Sequence, residues 1–231
     1  YSFSKGYFTQ LFEERGLKDH SYENFDIQNI ADFASILKDN KDIAGLNVTI
    51  PYKEVIFPYL DRVDKQAANI GAVNTIKITE EGLIGYNTDS YGFEQSLVKH
   101  LKKQHKKALI LGTGGASKAI AYTLTSLAIP YIFVSRNPEE GQLSYEDVDE
   151  TILASHKLIV NCTPLGTFPN ILEKPSIPYK YLTSEHLLFD LIYNPEKSAF
   201  LMEGENHGAG ICNGLDMLKL QADKAWAIWH Q

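Results

Sequence analysis

Cysteine and long apolar runs are both scarce in this chain. Its 231 residues contain two cysteines, Cys162 and Cys212, which fit neither a disulfide framework nor the spacing of a metal site. No stretch approaches the roughly 18 to 20 consecutive apolar residues of a membrane-spanning helix, and no signal peptide is visible. We therefore expect a cytoplasmic protein with reduced thiols, no metal and no membrane contact.

Positive charge is scarce as well. The 22 lysines and arginines are outnumbered by 29 aspartates and glutamates, which gives a net charge of −7. This balance makes nucleic acid an unexpected partner. With 44% hydrophobic and 22% charged residues, the composition is that of a globular protein with one large domain or two small ones. We expect a monomer or a homodimer.

Residues 47–53, with the sequence NVTIPYK, carry polar side chains at the end of a strand predicted over residues 43–50. Strand alternation puts Asn47 and Thr49 on one face. Pro51 favours the first turn of a helix, which we predict to continue over residues 55–60. Lys53 then lies where strand gives way to helix, which indicates a site with an amine, although a solvated lysine fits the same pattern.

The rest of the first 88 residues alternates helical and extended patterns. Apolar spacing predicts one helix that ends near Gly16 and another over residues 30–37. Residues 21–25 are predicted to form a strand, and residues 72–79 are predicted to pair with residues 83–86 as a hairpin. A connecting helix is predicted over residues 88–101. This part of the chain is therefore a compact α/β unit.

Strands and helices alternate from residue 108 onward. Apolar runs predict strands at 108–111, 131–134, 158–161 and 187–191, and helices at 117–127, 145–153 and 215–229. The segment 137–155 is short for a full crossover. Such alternation is typical of a parallel, doubly wound sheet of Rossmann type. The predicted fold class is thus α/β, with two domains.

A glycine-rich loop joins the first strand of this second unit to its helix. Gly112, Gly114 and Gly115, followed by Ala116, permit a tight turn and a close approach of the backbone to a pyrophosphate at the helix start. A glycine loop in this position also occurs as a simple packing turn. The loop nevertheless indicates a dinucleotide site, since it follows a strand and opens a helix.

The end of the next strand indicates which dinucleotide binds. An NAD site carries an acid there, which holds the ribose hydroxyl, whereas an arginine accommodates the 2′-phosphate of NADP. This strand ends in Ser135 and Arg136, and a guanidinium pairs with phosphate through charge-assisted hydrogen bonds. NADP is therefore favoured, with a surface arginine as the alternative interpretation.

Lys53 has a candidate partner in Asp89, which follows the predicted hairpin. Reduction of a ketone by hydride requires a proton for the developing alkoxide, and an ammonium held by a carboxylate can supply it. Asp89 and Thr88 also fit the N-cap of the connecting helix, so this alternative stays open.

Uncharged hydrogen-bonding side chains accompany this pair. Ser2 and Ser4 lie two apart in a segment predicted to be extended, so both project to one side and suit a carboxylate ligand. Asn74 lies on the hairpin and Gln221 on the last helix. Such groups are typical of a site for a polyol.

Eight ordered motifs in this chain resemble those of the shikimate dehydrogenase family, which includes shikimate and quinate dehydrogenases. They run through most of its length: SFS at 2–4, NVTIPYK at 47–53, GAVNT at 71–75, NTD at 87–89, GTGGA at 112–116, NCTPLG at 161–166, YNP at 193–195 and NGLDML at 213–218 with Gln221. Three features depart from the family pattern. Tyr1 stands where a histidine commonly precedes the first serine, and only Arg136 is kept from the usual Asn-Arg-Thr after the second cofactor-domain strand. The crossover over residues 137–155 is shorter than usual.

The resemblance implies NADPH-dependent, reversible reduction of 3-dehydroshikimate to shikimate in aromatic amino-acid (chorismate) biosynthesis. It implies a substrate domain of residues 1–88 and 213–231, a cofactor domain of residues 89–212, and a last helix that returns to the first domain. Lys53 and Asp89 would be the catalytic pair, with Lys53 the favoured proton donor. The other implied site residues are Ser2, Ser4 and Tyr193 for the carboxylate, Thr49, Asn74 and Gln221 for the ring hydroxyls, and Asn161, Thr163 and Gly214 near the cofactor.

The sequence leaves two alternatives open. A quinate or dual quinate/shikimate dehydrogenase, using NAD or NADP, would share these motifs. A non-catalytic sensor of dinucleotide or shikimate would need neither a proton donor nor its partner, so the presence of both Lys53 and Asp89 argues against it.

Overall fold

The computed structural model describes residues 3–231, which form two β-sheets. The first sheet has the strand order β1-β3-β4-β2, with β1 and β4 antiparallel to β3 and β2 parallel to β4. Its elements are helix α1 (Phe3–Glu14), a 3₁₀ turn (Ile30–Asp32), helix α2 (Phe33–Asp39), strand β1 (Gly45–Asn47), a 3₁₀ turn (Phe57–Tyr59), strand β2 (Arg62–Val63), helix α3 (Lys65–Ile70), and strands β3 (Thr75–Thr79) and β4 (Gly82–Tyr86).

The predicted hairpin is confirmed, whereas the predictions for residues 21–25, 43–50 and 55–60 are wrong. Residues 21–25 form no strand, because Tyr22 is held through its side chain, stacked on Phe8 with ring centroids 4.8 Å apart. Strand β1 ends at Asn47, earlier than predicted. Residues 55–60 form turns and a single 3₁₀ turn, since Tyr52 N–H bonds back to the Thr49 carbonyl at 2.8 Å and starts a turn.

The second sheet is parallel throughout, in the order β6-β5-β7-β8-β9, which confirms the doubly wound fold. Every residue of β5, β7 and β8 is buried, which explains why these strands read as continuous apolar runs. The elements are helix α4 (Asp89–Leu97), strand β5 (Ala108–Leu111), helix α5 (Gly115–Ser126), strand β6 (Tyr131–Val134), helix α6 (Glu150–Ser155), strand β7 (Leu158–Asn161), a 3₁₀ turn (Tyr179–Tyr181), strand β8 (Leu187–Asp190), helix α7 (Ala199–Asn206), strand β9 (Gly210–Cys212) and helix α8 (Leu215–Trp229).

The connection after β6 is as short as the sequence indicates, but its helix begins later than predicted. Helix α6 starts at Glu150 because the Asp149 carboxylate accepts a hydrogen bond from Ile152 N–H at 2.9 Å and caps it. Before it, Leu143 forms a single parallel bridge beside Val134 of β6. The outer edge of β6 is therefore covered by one residue in place of a full strand.

Helix α8 returns to the first sheet, as predicted. The indole N–H of Trp229 donates to the Ile76 carbonyl at 2.9 Å, and the ring occupies the space beside Gly45 that a larger residue would fill. Two turns earlier in the helix, Ala222 packs with Phe8 and Phe12 of α1. Within residues 3–231, no helix is both long and apolar enough to cross a membrane.

Three buried histidines fix loops of the second sheet. Thr183 N–H donates to His186 Nδ1 at 3.0 Å, and His186 Nε2 donates to the Leu153 carbonyl at 2.9 Å. This arrangement requires the neutral imidazole, because protonation of Nδ1 would remove the acceptor. Burial lowers the pKa of His186, and likewise that of His105 and His156, below the ordinary value of 6.5.

Because the pKa values of these histidines are lowered, we expect the protein to lose stability in mild acid. Below pH 6.5 the unfolded chain binds protons that the folded chain resists, so the free energy of unfolding falls as pH falls toward the folded pKa values. We expect His186→Gln to show a shallower fall in melting temperature than the wild type between pH 7.5 and 5.5. His100→Gln, at an exposed position, is the control. Parallel curves for His186→Gln and the wild type would contradict the assignment.

Candidate active site

Lys53 and Asp89 form a largely buried ion pair between the two sheets. Lys53 Nζ lies 2.6 Å from Asp89 Oδ2, and the two side chains are 13% and 9% exposed. Lys53 belongs to the turn after β1, and Asp89 opens α4, where the helix dipole favours a carboxylate. The structure thus brings together the two residues that were predicted as a pair.

Asn74 connects this pair to the last helix. Its Nδ2 lies 2.9 Å from Asp89 Oδ1, 3.0 Å from Thr88 Oγ1 and 3.2 Å from Gln221 Oε1. Its Oδ1 accepts from Thr88 N–H at 2.7 Å. Thr88 occupies the N-cap position of α4, but its side chain makes no capping bond and contributes to this cluster instead. Asn74, 3% exposed, therefore fixes the orientation of the carboxylate and of Gln221.

Backbone pairing explains why these side chains meet. Val73 N–H donates to the Lys53 carbonyl at 2.8 Å, and Asn74 N–H donates to the Tyr86 carbonyl at 3.0 Å. The Lys53 turn is thereby held beside the entry to β3, while the end of β4 delivers the chain to Asp89. The site thus lies at one end of the two central strands, where β3 begins and β4 ends.

Ser4 lies in helix α1, so the prediction of an extended segment is wrong at this residue; Ser2 lies outside the described residues. Ser4 and Tyr22 are joined by a side-chain hydrogen bond, and Tyr22 donates to Asn47 Oδ1 at 3.0 Å. Asn47 Nδ2 is 3.3 Å from Thr75 Oγ1, which is 3.1 Å from Asn74 Oδ1. A hydrogen-bonded path therefore joins the start of α1 to the Asn74 cluster.

Two further predicted residues lie at the border of this region. Thr49 follows the end of β1 with an exposed side chain, so the alternation that paired it with Asn47 is not formed. Tyr193 is half-buried, and its ring meets the edge of Phe3 at a centroid distance of 5.3 Å. Tyr193 comes from the second sheet and Phe3 from α1, so this contact spans the two halves.

The glycine loop faces the turn that carries Lys53 and Glu54, and no side chain caps the start of α5. Gly112 has φ of +97°, and a β-carbon there would lie 3.0 Å from Thr163 Cγ2. Gly114 occupies the N-cap of α5 without a side-chain capping bond, so the first N–H groups of the helix suit a phosphate. A β-carbon on Gly115 would lie 3.6 Å from Lys53 Cβ. These features, followed by small Ala116, fit a pyrophosphate next to Lys53.

The ends of β6 and β7 carry the other candidate cofactor residues. Ser135 is buried and bonds through its hydroxyl to Asn137, while Arg136 is exposed. Strand β5 lies between β6 and β7, and ligands of doubly wound sheets bind where the strand order reverses in this way. The Arg136 guanidinium at this edge does not pack in the core and can bind a phosphate.

Asn161 organises the loop after β7. Its Oδ1 accepts from Thr163 N–H at 3.0 Å and from Thr163 Oγ1 at 2.7 Å. Its Nδ2 donates to Asp190 Oδ1 at 3.0 Å. Gly214 packs so closely on Leu191 that a β-carbon would collide with the Leu191 carbonyl oxygen. Sequence reasoning missed Asp190, although an acid at the end of the apolar run of β8 was a visible signal.

The comparisons with known proteins agree with this geometry. Residues 1–76 match the model of the shikimate dehydrogenase substrate binding domain. Shikimate dehydrogenase (NADP(+)) of Clostridium botulinum is 42% identical over 219 residues, which cover 90% of this chain and 84% of that protein.

Solved structures give the same result. Shikimate dehydrogenase 1 from Peptoclostridium difficile is 37% identical with a TM-score of 0.86, covering 99% of this chain and 87% of that one. Shikimate 5-dehydrogenase from Thermus thermophilus, in complex with NADP(H) and shikimate, is 30% identical with a TM-score of 0.86, covering 99% of this chain and 88% of that one. Identity at this level over nearly the full length shows common descent as well as a common fold, and this chain belongs to the shikimate dehydrogenase family.

Proposed function

We propose that this chain catalyses the NADP-dependent, reversible reduction of 3-dehydroshikimate to shikimate in chorismate and aromatic amino-acid biosynthesis. The proposal rests mainly on one observation. A buried lysine-carboxylate pair, with Nζ and Oδ2 at 2.6 Å, lies directly beside a glycine loop that suits a pyrophosphate. Proton donor and dinucleotide are thereby adjacent, as carbonyl reduction requires.

Lys53 is the proposed proton donor. NADPH, when bound, supplies the hydride that the ketone carbon accepts. As the carbonyl π electrons move to oxygen, Lys53 Nζ transfers a proton to that oxygen, and the N–H electron pair stays on nitrogen. Asp89 pairs with the Lys53 ammonium and orients it through Oδ2. In the direction of oxidation, neutral Lys53 takes the hydroxyl proton.

The substrate is proposed to lie between Ser4 and Asn74. Ser4, in the first turn of α1, suits a carboxylate because hydroxyl groups and a helix N-terminus both favour negative charge. Asn74 and Gln221, already bonded to each other, suit ring hydroxyls. The complete proposed set is Ser2, Ser4 and Tyr193 for the carboxylate, with Thr49, Lys53, Asn74, Asp89 and Gln221 for the ring hydroxyls.

The cofactor is proposed to lie along the carboxyl ends of the second sheet. The start of α5 would hold the pyrophosphate, and Arg136 the 2′-phosphate. The complete proposed set is Gly112, Gly114, Gly115 and Ala116 in the glycine loop, Ser135 and Arg136 after β6, Asn161 and Thr163 after β7, and Gly214 by the nicotinamide.

The domain division is part of the same proposal. Residues 1–88 with 213–231 would form the substrate domain, and residues 89–212 the cofactor domain. The bond from Trp229 to the Ile76 carbonyl supports grouping the last helix with the first sheet. A cytoplasmic location is also proposed, and the unpaired thiols of Cys162 and Cys212 suit a reducing compartment.

Initial rates with purified protein test the function and its alternatives together. Shikimate and quinate are each supplied with NADP and with NAD, and reduced nucleotide is measured. We expect the highest kcat/KM for shikimate with NADP. A preference for quinate or NAD would favour the quinate dehydrogenase alternative. If none of the four reactions produces reduced nucleotide, the proposal that the protein is an enzyme is rejected and the sensor alternative is favoured.

A further inference from the structure

Asp190 is a fully buried carboxylate that none of the proposed roles uses. It ends β8 with 0% exposure and accepts three hydrogen bonds. Oδ1 accepts from Asn161 Nδ2 at 3.0 Å and from Ile192 N–H at 3.1 Å, and Oδ2 accepts from the Ser198 hydroxyl. A charge in this position costs solvation free energy, so its neighbours must compensate it.

One route from Asp190 leads to the glycine loop. Asn161 uses its amide nitrogen on Asp190 and its Oδ1 on both the N–H and the hydroxyl of Thr163. Thr163 Cγ2 in turn fills the space beside Gly112. The carboxylate thus sets the amide orientation of Asn161, and through it the side chain that borders the glycine loop.

A second route leads to the start of α8. Ile192, whose N–H bonds to Asp190, accepts from Gly214 N–H through its carbonyl at 3.0 Å. The preceding carbonyl, that of Leu191, contacts Gly214 so closely that a β-carbon would not fit. Asp190 therefore also determines where the backbone beside Gly214 can lie.

A third contact anchors the carboxylate from behind. Ser198 is the N-cap of α7, and its hydroxyl bonds both to Asp190 and, at 3.4 Å, to Leu201 N–H. Burial raises the pKa of Asp190 to about 6, so the group is largely ionised at neutral pH. An ionised carboxylate accepts from all three donors at once, which a neutral amide cannot reproduce with one oxygen.

We propose that Asp190 is a positioning residue for the dinucleotide, acting through Asn161 on the Thr163 loop and through Ile192 on Gly214. It touches neither cofactor nor substrate in this assignment. The proposal rests on the proposed function, since it takes the Thr163 loop and Gly214 as walls of the cofactor site. It assigns Asp190 a larger effect on NADPH binding than on substrate binding.

Two substitutions of similar size test this role. Asp190→Leu removes every acceptor, and Asp190→Asn keeps one oxygen for Asn161 and Ile192. We expect the NADPH dissociation constant, measured by fluorescence titration without substrate, to rise about tenfold or more in Asp190→Leu and about twofold to threefold in Asp190→Asn. The dissociation constant for shikimate should rise less than that for NADPH in both, because Tyr193, next to Ile192, is the one proposed substrate residue that Asp190 reaches through this backbone bond. Equal weakening of both ligands, or unchanged NADPH binding, would overturn the proposal.

A matched pair of serines covers the case in which Asp190→Leu fails to fold. Ser198→Ala removes one donor to Asp190, whereas Ser96→Ala removes a hydroxyl of equal burial that contacts the Cys212 sulfur. NADPH binding should weaken in Ser198→Ala and Asp190→Asn and stay at the wild-type value in Ser96→Ala. If all three bind NADPH like the wild type, Asp190 serves only folding. If wild-type protein binds NADPH but does not oxidise shikimate, the proposed function is wrong. The NADPH dissociation constants of the Asp190 and serine variants still test the positioning role in that case.

Discussion

Lys53→Ala is expected to lower kcat for shikimate oxidation by about 10²- to 10⁴-fold, the usual contribution of a general acid or base. The Lys53 ammonium lies 2.6 Å from Asp89 Oδ2. The neighbouring side chains of Asn74, Thr88 and Gln221 are amides and a hydroxyl, which are poor substitutes for an ammonium as proton donor. Shikimate should still bind, because Asn74, Thr88 and Gln221 keep their mutual bonds. A group used in the transition state affects kcat more than binding.

The measurement combines steady-state kinetics with an equilibrium titration of shikimate. Removing one partner of a buried ion pair costs about 3 to 5 kcal/mol of stability, so the melting temperature must be measured alongside. Lys99→Ala is the control, since Lys99 pairs with Asp216 at 3.3 Å on an exposed surface. A large loss of shikimate binding with a normal kcat would contradict the assignment of Lys53 as proton donor.

Arg136→Gln is expected to lower kcat/KM for NADP by about 10- to 100-fold, because hydrogen bonds to charged groups contribute about 1.5 to 3 kcal/mol. The value for NAD should stay within about twofold of the wild type, since NAD has no 2′-phosphate to lose a partner. Arg136 is exposed at the end of β6, so its replacement leaves the core intact.

Arg62→Gln controls for the loss of a surface charge, because Arg62 pairs with Glu81 in the first sheet. The ratio of kcat/KM values for NADP and NAD is the readout. An unchanged ratio in Arg136→Gln would show that other residues recognise the 2′-phosphate. An equal fall for both cofactors would show that Arg136 contacts a part they share.

The parallel sheet was predictable almost residue for residue. Strands β5, β6 and β7 begin and end where the apolar runs do. For β5 and β7 the reason is full burial, because a strand between two helical layers needs apolar side chains on both faces. The edge strand β9 was not predicted, since its three residues are only partly covered and give no such run. Helix α7 was not predicted either. Its N-cap residue, Ser198, is bonded to Asp190, eight positions earlier in the chain, and this contact depends on the fold.

Local signals failed where side-chain contacts decide the backbone. Pro51 indicated a helix, but the chain there folds into turns that carry Lys53 toward Asp89. Residues 21–25 have the composition of a strand, yet Tyr22 is fixed by its ring and hydroxyl. Sequence patterns do not encode such contacts between distant segments.

The candidate site was predictable in its parts and not in its connections. Each motif marked one member, but the bond between Asn74 and Gln221 joins residues 147 positions apart, which no spacing rule anticipates. Thr49, expected beside Asn47, lies outside the strand instead. Asp190 escaped notice because its importance depends on three donors that the fold brings together.

Product identification tests the central claim most directly. Purified protein is incubated with 3-dehydroshikimate and NADPH, and the products are identified by nuclear magnetic resonance while NADPH consumption is followed. We predict one shikimate formed for each NADPH consumed, with the Lys53→Ala rate lower by about 10²-fold or more. NADPH consumption without shikimate, or wild-type and Lys53→Ala proteins that form shikimate equally fast, would contradict the account.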